Sequence, residues 1–538
     1  MKSPLSCVAV ITAVILAGCS PTERAVDVGV RDGVLHIGNG TEPQGLDPHL
    51  MTGVPEFHIM DALFEGLVSI DPVTREPAPG VAASWDVSAD GRTYTFHLQE
   101  NARWSDGVPL TAHDFVGSYE RIMNPVLAGE YAYLFEIIEN GPAYLSGALT
   151  DFDQVGVKAP DDHTLVIRLE HPVPYFLTLI TYNCWGPLPL HVLDRFNGRR
   201  ERVSAWTREG NIVGNGPFRL TRWVPNQVLV VERNPHYWDA ATVGLNAIHF
   251  HPVESIDTEE RMFRSGQLHI TNEVPPSKIA ALRDQPDSPL RIDPQLGTYY
   301  YRFNVTRPPF DDVRVRQALA LAIDRELLVT RVTQAGQTAG VSVTPPGTGG
   351  FEPTTRVSYD PVAARALLDE AGYPGGAGFP VAELLYNTSE NHRRIAEAVQ
   401  QMWKRELGID VSLYNQEWKV YLDSTHHLNF TIARTAWVAV YDDANQFLEV
   451  FTTGNPNNMT GWGSPEYDRL HAESMSETDP QRRRQLLQSL DAMLLREMPA
   501  IPIYHYAQSY LIDPRVQGWE SNPLDKHPYK HVRLTAAE

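Results

Sequence analysis

The alternation of apolar and polar positions predicts short strands in the first part of the chain. Thr93–Leu98 and residues 164–169 are rich in β-forming residues and partly alternating, as strands with one buried face should be. Each segment follows a turn signal, at Asp90-Gly91 and at Asp161-Asp162. We therefore expect two half-buried strands in this region.

Helical periodicity dominates the second half. Pro361–Glu370 follows the capping residue Asp360 and is followed by Gly372, the expected pair of start and stop signals. Residues 391–407 carry one apolar face along their whole length, and Gly408 ends the pattern. Both segments are therefore predicted to be helices.

A further helix is predicted to start at Asp479 and to end before Pro499. Its run Arg482-Arg483-Arg484 is typical of a solvated helix face. Strands and helices that alternate along the chain indicate an α/β protein. Because no long Pro- or Ser-rich linker separates independent modules, we expect interleaved lobes, with the chain crossing between them more than once.

The N-terminal segment predicts export and lipid attachment. Residues 7–16 are apolar but too short to span a bilayer, which favours a signal peptide over residues 1–18. Leu16-Ala17-Gly18-Cys19 resembles the bacterial lipoprotein box, so Cys19 is expected to carry the lipid that anchors the chain at the cell envelope, on the periplasmic or extracellular side. The alternative is a plain secretory signal with an incidental cysteine. Residues 19–34 are polar and predict a tether.

Composition narrows the classes of function. A chain of 538 residues is too long for one ordinary core, and its net charge of −21 argues against nucleic acid as a partner. If the signal peptide is removed and Cys19 carries a lipid, Cys184 is the one cysteine left with a free thiol. We expect it to be a small buried apolar residue.

Sequence motifs for catalysis, cofactors and metals are missing. The chain contains no P-loop, no Gly-x-Ser-x-Gly and no His-Glu-x-x-His, so we expect neither an enzyme nor a cofactor. His249 and His251 could share a strand face, whereas the adjacent His426 and His427 would point apart. Neither pair has an obvious third ligand in the sequence, so no metal site is predicted.

Several segments in the same order resemble one protein family over residues 35–538. They are EPQGLDPH (42–49), LFEGL (63–67), ARWSDGVPLTAHDF (102–115), GNGPF (214–218), VERNPHYW (231–238), VRVRQALALAIDRE (313–326) and NQEWKVYLD (415–423). Together they are similar to the oligopeptide-binding proteins of ABC importers, the extracellular solute-binding family 5.

The resemblance implies an α/β, two-lobed clamp of three domains, of the periplasmic-binding-protein type. Domain I would be discontinuous, with residues 35–68, 185–296 and 508–538, domain II would be 69–184 and domain III 297–507. A monomer of this kind closes around a peptide or peptide-like ligand and delivers it to ABC permease and ATPase subunits.

The resemblance also implies a set of ligand contacts. Backbone groups at four positions would pair with the peptide main chain, three aromatic residues would wall its pockets, and two basic residues would neutralise its carboxylates. In that order they are Thr52, Val54, Ala436 and Val438; Tyr131, Trp418 and Trp437; and His392 and Arg434.

One departure from the family pattern changes the expected ligand. Peptide-binding relatives place an Asp where Val440 stands, and that carboxylate holds the free ammonium of the peptide. Either Asp442 or Asp443 substitutes for it, or the ligand lacks a free amino terminus at that place. The resemblance also implies that Gly297 and Val438 stand where the family has the two cysteines of an inter-strand disulfide.

Three hypotheses follow. The first is capture of short or modified peptides. The second is the same clamp for a non-peptide solute such as a sugar, an opine or an amphiphile. The third, from another class, is an enzymatic or chaperone-like lipoprotein.

Overall fold

The structure, a computed structural model, describes residues 23–51 and 53–536, apart from the side chains of residues 418 and 419. The elements of the first part are α1 (Ala25–Asp32), β1 (Val34–Gly38), α2 (Val54–Leu63), β2 (Val68–Ile70), β3 (Pro77–Pro79), β4 (Ala82–Val87), β5 (Thr93–Leu98), α3 (Ala112–Met123), α4 (Gly141–Leu145), β6 (Val157–Asp161), β7 (Thr164–Arg168), α5 (Phe176–Leu179) and α6 (Leu190–Arg195). The two predicted strands are confirmed as β5 and β7.

The middle of the chain, residues 218–416, contains seven strands and six α-helices. Its elements are β8 (Phe218–Val224), β9 (Val228–Arg233), β10 (Ala247–His251), α7 (Ile256–Arg264), α8 (Pro276–Arg283), β11 (Leu290–Phe303), α9 (Val313–Leu321), α10 (Arg325–Leu327), β12 (Thr338–Ala339), α11 (Pro361–Glu370), β13 (Ala382–Asn387), α12 (Glu390–Leu407) and β14 (Val411–Gln416).

The last part of the chain contains the remaining helices and strands. Its elements are α13 (Trp418–His426), β15 (Ile432–Val438), α14 (Asn445–Leu448), α15 (Pro465–Ser476), α16 (Pro480–Glu497), β16 (Ala500–Leu511), β17 (Val516–Gln517) and β18 (Arg533–Leu534). The three predicted helices are confirmed as α11, α12 and α16. Asp360 and Asp479 cap two of them by accepting hydrogen bonds from first-turn N–H groups, and Gly408 ends the third in the left-handed conformation.

Three sheets of four or more strands organise the part of the chain that the structure describes. The strand order is β1-β10-β9-β8 in one four-stranded sheet, β4-β5-β7-β6 in another, and β12-β16-β11-β15-β13-β14 in a six-stranded sheet. The mixed α/β class predicted from the sequence is confirmed.

Separate hydrophobic cores give the molecule two lobes. One core gathers buried side chains almost entirely from residues 35–250 and 510–532, and includes both four-stranded sheets. A second core gathers residues 299–504 around the six-stranded sheet. The long strands β11 and β16 pair with each other over most of their length and run from one lobe into the other, with an irregular register between Pro294 and Thr298. This pair of strands therefore connects the lobes.

The predicted tether differs from the structure over part of its length. Ala25–Asp32 is a helix whose Val26 and Gly29 are buried, and Asp27 forms an ion pair with Arg515 at 2.9 Å. Two buried positions three residues apart are enough to dock such a short helix, but they are too few to stand out as a periodic pattern. The correction applies to this stretch; Cys19 and the signal peptide lie outside the described residues.

Two other expectations concern single features. Cys184 is buried, as expected, and burial raises the pKa of its thiol. Among the helices that the structure describes, none has the length and apolar character required to cross a bilayer.

Candidate functional site

A short stretch of unpaired strand edge lies at the end of β15. This strand pairs with β11 along its whole length, from Phe303↔Ile432 to Gly297↔Val438. On its other side, β13 pairs with it at Ile432 and Ala433 and, in the described part of the sheet, at no residue beyond. The two strands diverge after Ala433, so the rest of β15 has an edge that β13 does not cover.

Backbone alternation decides which residues face this edge. The N–H of Ala439 donates to the carbonyl of Leu296 at 2.8 Å, so Ala439 faces β11. Backbone groups of successive residues point to opposite sides of a strand, and Ala436 and Val438 therefore face away from β11. The carbonyl of Arg434 also faces away, since it accepts a hydrogen bond from the Tyr421 hydroxyl. This edge presents main-chain donors and acceptors of the kind that an added strand would pair with.

Arg434 lies beside the edge as a buried cation. Its Nη1 donates to Asn387 Oδ1 and its Nη2 to the Tyr506 hydroxyl, both at 3.1 Å, and its guanidinium carbon lies 4.6 Å from the centre of the Tyr299 ring. Its Nε is buried and has no hydrogen-bond partner in the described structure. The neighbouring tyrosines raise the pKa of the guanidinium although burial opposes this, so Arg434 stays charged.

Paired strands build the aromatic surroundings of this cation. Tyr299 on β11 stacks on Tyr504 of β16 with ring centres 4.7 Å apart, and Tyr504 contacts Tyr506 edge-on. The sequence motifs do not point to these three tyrosines. The signal that could have found them is the spacing of two residues between aromatics on both strands, which places them on one face.

His392 lies next to this group at the start of α12. Its ring is 5.6 Å from that of Tyr299, and the Tyr299 hydroxyl is 3.4 Å from His392 Nδ1. Burial, together with the charge of Arg434, lowers the pKa of His392 to about 3. The imidazole is therefore neutral at physiological pH, and Arg434 provides the positive charge of the pair.

Trp437 and Val438 continue the strand from Arg434. Trp437 packs partly against two small cores of the second lobe, and its buried Nε1 has no hydrogen-bond partner within the described structure. Val438 is 45% exposed and lies directly across from Gly297, so the two positions expected to replace a disulfide are cross-strand neighbours.

Val440, Asp442 and Asp443 follow the strand in a loop. The N–H of Val440 donates to Gln446 Oε1 at 2.7 Å, and its side chain packs partly against the first lobe's core. Asp442 accepts a hydrogen bond from the Gly349 N–H at 2.5 Å and lies 3.6 Å from Arg75, while burial raises its pKa.

Asp443 is held by an internal cation. Its two oxygens accept hydrogen bonds of 2.7 and 2.9 Å from Arg483; Asp443 is buried, and the Arg483 side chain is 11% exposed. The solvated helix face predicted for the arginine run is therefore wrong at Arg483, whereas Arg482 lies exposed beside Glu473. Sequence reasoning could not find the Arg483–Asp443 pair because 40 residues separate its members.

The remaining predicted contacts belong to the first lobe or lie outside the description. Val54 is the first residue of α2 and is 49% exposed, and its N–H belongs to the helix turn that lacks helical acceptors. Tyr131 is half-buried, with its ring edge-on to that of Tyr182 at 5.0 Å. Thr52 and the side chain of Trp418 are not among the described groups.

The lobes meet next to the Val440 loop. Tyr175, just before α5, stacks on Tyr441 with ring centres 5.2 Å apart and planes inclined by 4°. The Tyr175 hydroxyl also lies 3.7 Å from the Met475 sulfur, and Arg483 lies 5.3 Å from the centre of its ring. The free strand edge and Arg434 therefore belong to the second lobe. The loop that follows this strand, with Tyr441, contacts the first lobe.

Comparisons with known proteins agree with this architecture. The family model of the bacterial extracellular solute-binding proteins, family 5, matches residues 76–459. The periplasmic oligopeptide-binding protein OppA of Salmonella typhimurium is 38% identical over 99% of this chain and 98% of its own length. The periplasmic murein peptide-binding protein MppA of Escherichia coli is 38% identical, with 90% of each chain covered.

A solved structure shows the same fold. The unliganded open form of the MppA murein tripeptide-binding protein superposes with a TM-score of 0.80 at 36% identity, covering 94% of this chain and 97% of that one. The resemblance and the periplasmic-binding-protein fold are thus confirmed. This chain belongs to the bacterial extracellular solute-binding proteins of family 5, whose members bind substrates for transporters and are not enzymes.

Proposed function

We propose that this protein captures short peptides or modified peptides between its lobes and delivers them to an ABC permease with its ATPase subunits. The observation that carries the proposal is the free edge of β15 at Ala436 and Val438, immediately beside the buried Arg434. An extended peptide adds to such an edge through its main chain, which gives affinity without reading side chains. The relatives named for oligopeptides and murein peptides support the same ligand class.

Arg434 indicates that the ligand carries a carboxylate. Burying a cation without an anion costs several kcal/mol, and the described neighbours of this guanidinium are tyrosines, an amide and a neutral histidine. A carboxylate from the ligand would accept charge-assisted hydrogen bonds from it. We therefore assign Arg434 to a ligand carboxylate, with His392 beside it as a neutral hydrogen-bonding group.

The opposite end of the ligand is expected to differ from that of an ordinary peptide. Val440 offers no charge for an ammonium, Asp443 is occupied by Arg483, and Asp442 is engaged by Gly349 and Arg75. Burying an unpaired ammonium beside Val440 would cost about 3 to 5 kcal/mol. These contacts favour a ligand without a free amino group at this place, such as an amino-blocked or otherwise modified peptide.

Mass spectrometry of the ligand that co-purifies with the protein tests the ligand class directly. Calorimetry then compares one tripeptide in its free and N-acetylated forms. We expect the acetylated form to bind at least as tightly as the free form to the natural chain. In Val440→Asp the preference should shift towards the free form by about a hundredfold, and Val440→Asn controls for shape without charge.

A non-peptide solute is the alternative that Val440 supports, because an apolar group there also suits an amphiphile. Co-purification of a sugar, an opine or an amphiphile, with no heat from either tripeptide, would establish it and reject the peptide proposal. Cleavage of the tripeptide during long incubation would instead revive the enzymatic hypothesis.

The domain assignment and the envelope anchor are part of the same proposal. Domain I is assigned to 35–68, 185–296 and 508–538, domain II to 69–184 and domain III to 297–507, which the separate cores and the two crossing strands support.

Cys19 is assigned as the lipid anchor of a monomer in the periplasm or outside the cell. A Cys19→Ser chain that still partitions into the detergent phase would contradict the anchor.

A further inference from the structure

The sheet of the first lobe brings together three histidines that are distant from the ligand site. His36 on β1 is the direct neighbour of His249 on the parallel strand β10, and His251 lies two residues further along β10. All three are half-buried and lie on the same face of the sheet, because residues two apart on a strand point the same way. His36 is the third member that the sequence pattern of His249 and His251 did not reveal.

Their nitrogen atoms converge. One ring nitrogen from each histidine lies within 4.8 Å of the other two, and His36 Nδ1 is 3.2 Å from His251 Nε2. Zinc bonds to imidazole nitrogen are about 2.0–2.1 Å, so ligand atoms around a tetrahedral ion are roughly 3.4 Å apart. The His36–His251 pair already has this separation. The distances to the third ring, at most 4.8 Å, exceed this value by no more than about 1.4 Å, a shift that rotation of a histidine side chain can supply.

A fourth histidine lies next to these three, but its ring nitrogens are not available to an ion. His269 stacks beside His36 with ring centres 5.8 Å apart, but both of its nitrogens are engaged: Nδ1 accepts from the His36 N–H at 3.0 Å, and Nε2 lies 3.2 Å from the Val26 carbonyl. It therefore fixes the backbone of β1 and leaves three imidazoles for an ion.

We propose that His36, His249 and His251 form a binding site for one divalent transition-metal ion of the class of Zn²⁺, Co²⁺ or Ni²⁺. Imidazole nitrogens suit these ions, whereas Mg²⁺ and Ca²⁺ require oxygen ligands. Three protein ligands leave a fourth position on the ion for a water molecule or another small ligand. Strands of a paired sheet hold the ligands in place, which limits the rearrangement on binding.

The test uses the full-length protein without a polyhistidine tag, freed of metal with a chelator. Titration calorimetry with Zn²⁺, and visible absorption with Co²⁺, should show one ion per chain at low micromolar concentration or below. His249→Gln and His251→Gln should each weaken binding at least about tenfold, since even partners that only orient metal ligands contribute that much. Mg²⁺ and Ca²⁺ should give no heat.

A matched control is the double variant His426→Gln and His427→Gln, which removes two exposed neighbouring histidines on the other lobe. It should keep full affinity and stoichiometry. Thermal unfolding of the metal-free variants should match that of the natural chain, and only the natural chain and the control should gain stability with Zn²⁺. Absence of stoichiometric binding, an affinity in His249→Gln and His251→Gln equal to that of the natural chain, or a loss confined to the control would overturn the site.

Discussion

At the scale of one residue, Arg434 connects the fold to ligand choice. The guanidinium is fixed by Asn387 and Tyr506 and covered by Tyr299, so it cannot swing away when the ligand lacks an anion. Its position is therefore set before binding, and its remaining hydrogen-bonding capacity is directed at whatever enters. The binding energy of a carboxylate should depend on this residue alone more than on any exposed charge nearby.

Arg434→Ala is predicted to discriminate between ligand ends. A hydrogen bond to a charged group contributes about 1.5–3 kcal/mol, so a tripeptide with a free carboxylate should lose roughly ten- to hundredfold in affinity. The same tripeptide as its C-terminal amide should change much less, which makes the two ligands a matched pair on one variant. Calorimetry measures both. An equal loss for acid and amide would show that Arg434 acts only on the fold.

At the scale of an element, α16 carries a buried acid that links stability to pH. Asp491 lies within the small core formed by α15, α16 and their neighbours, where one oxygen accepts from the Thr344 N–H at 3.0 Å and the other has no partner in the described structure. Burial raises the pKa of this carboxyl from its ordinary value of 3.8 to about 7. The folded chain therefore keeps the proton that the unfolded chain releases between about pH 4 and pH 7.

The sign of the effect follows from proton counting. In this window the folded state binds more protons at Asp491 than the unfolded state, so its contribution to stability falls as pH rises and levels off above about pH 7. Asp491→Asn removes the titration. Between pH 4.5 and pH 8, the stability of the variant should therefore rise relative to the natural chain by on the order of 3 kcal/mol.

Denaturant unfolding followed by tryptophan fluorescence at several pH values measures this difference. Glu466→Gln on α15 serves as the control, because its side chain is exposed and its removal should leave the pH dependence unchanged. Parallel pH profiles for Asp491→Asn and the natural chain would contradict the assignment.

The elements also show what sequence alone could predict. Starts and stops of α11, α12 and α16 are encoded locally, by Asp360, Asp479 and Gly408, so their boundaries follow from the chain itself. The docking of α1 depends on His269 and Arg515, which are far away in sequence. Such contacts leave no local pattern.

The candidate site, too, could be predicted from the sequence only in part. Family resemblance supplied Arg434 and the importance of Val440, because both positions lie within residues 35–538, over which the chain resembles the family. The free edge of β15 depends on where β13 diverges, and the engagement of Asp443 depends on a helix 40 residues later. Both are tertiary outcomes, so the sequence could name the residues but not their accessibility.

At the scale of the whole molecule, the two lobes are joined by few continuous elements. Each lobe has its own core, and β11 and β16 are the long strands that pass between them. A connection of two paired strands permits a hinge motion without breaking either core. In this structure the contacts between the lobes include the Tyr175–Tyr441 stack and the Arg75–Asp442 pair, and we expect them to stabilise the closed arrangement.

Tyr175 offers a way to change closure while leaving Arg434 and the strand edge intact. Tyr175→Ala removes the ring that stacks on Tyr441 and lies beside Arg483, whereas Tyr175→Phe keeps the ring and loses the hydroxyl, which contacts the Met475 sulfur. An aromatic pair contributes about 0.5–1.5 kcal/mol beyond its buried area, so the closed form of Tyr175→Ala should be less populated by several-fold or more.

With ligand bound, closure limits escape, so Tyr175→Ala should release ligand several-fold faster while association changes little. Stopped-flow kinetics gives both rates, and small-angle X-ray scattering at saturating ligand should show a larger radius of gyration for Tyr175→Ala than for Tyr175→Phe. If the two variants release ligand at the same rate as the natural chain, the stack is a packing contact without influence on closure, and the hinge must be held closed by the ligand itself.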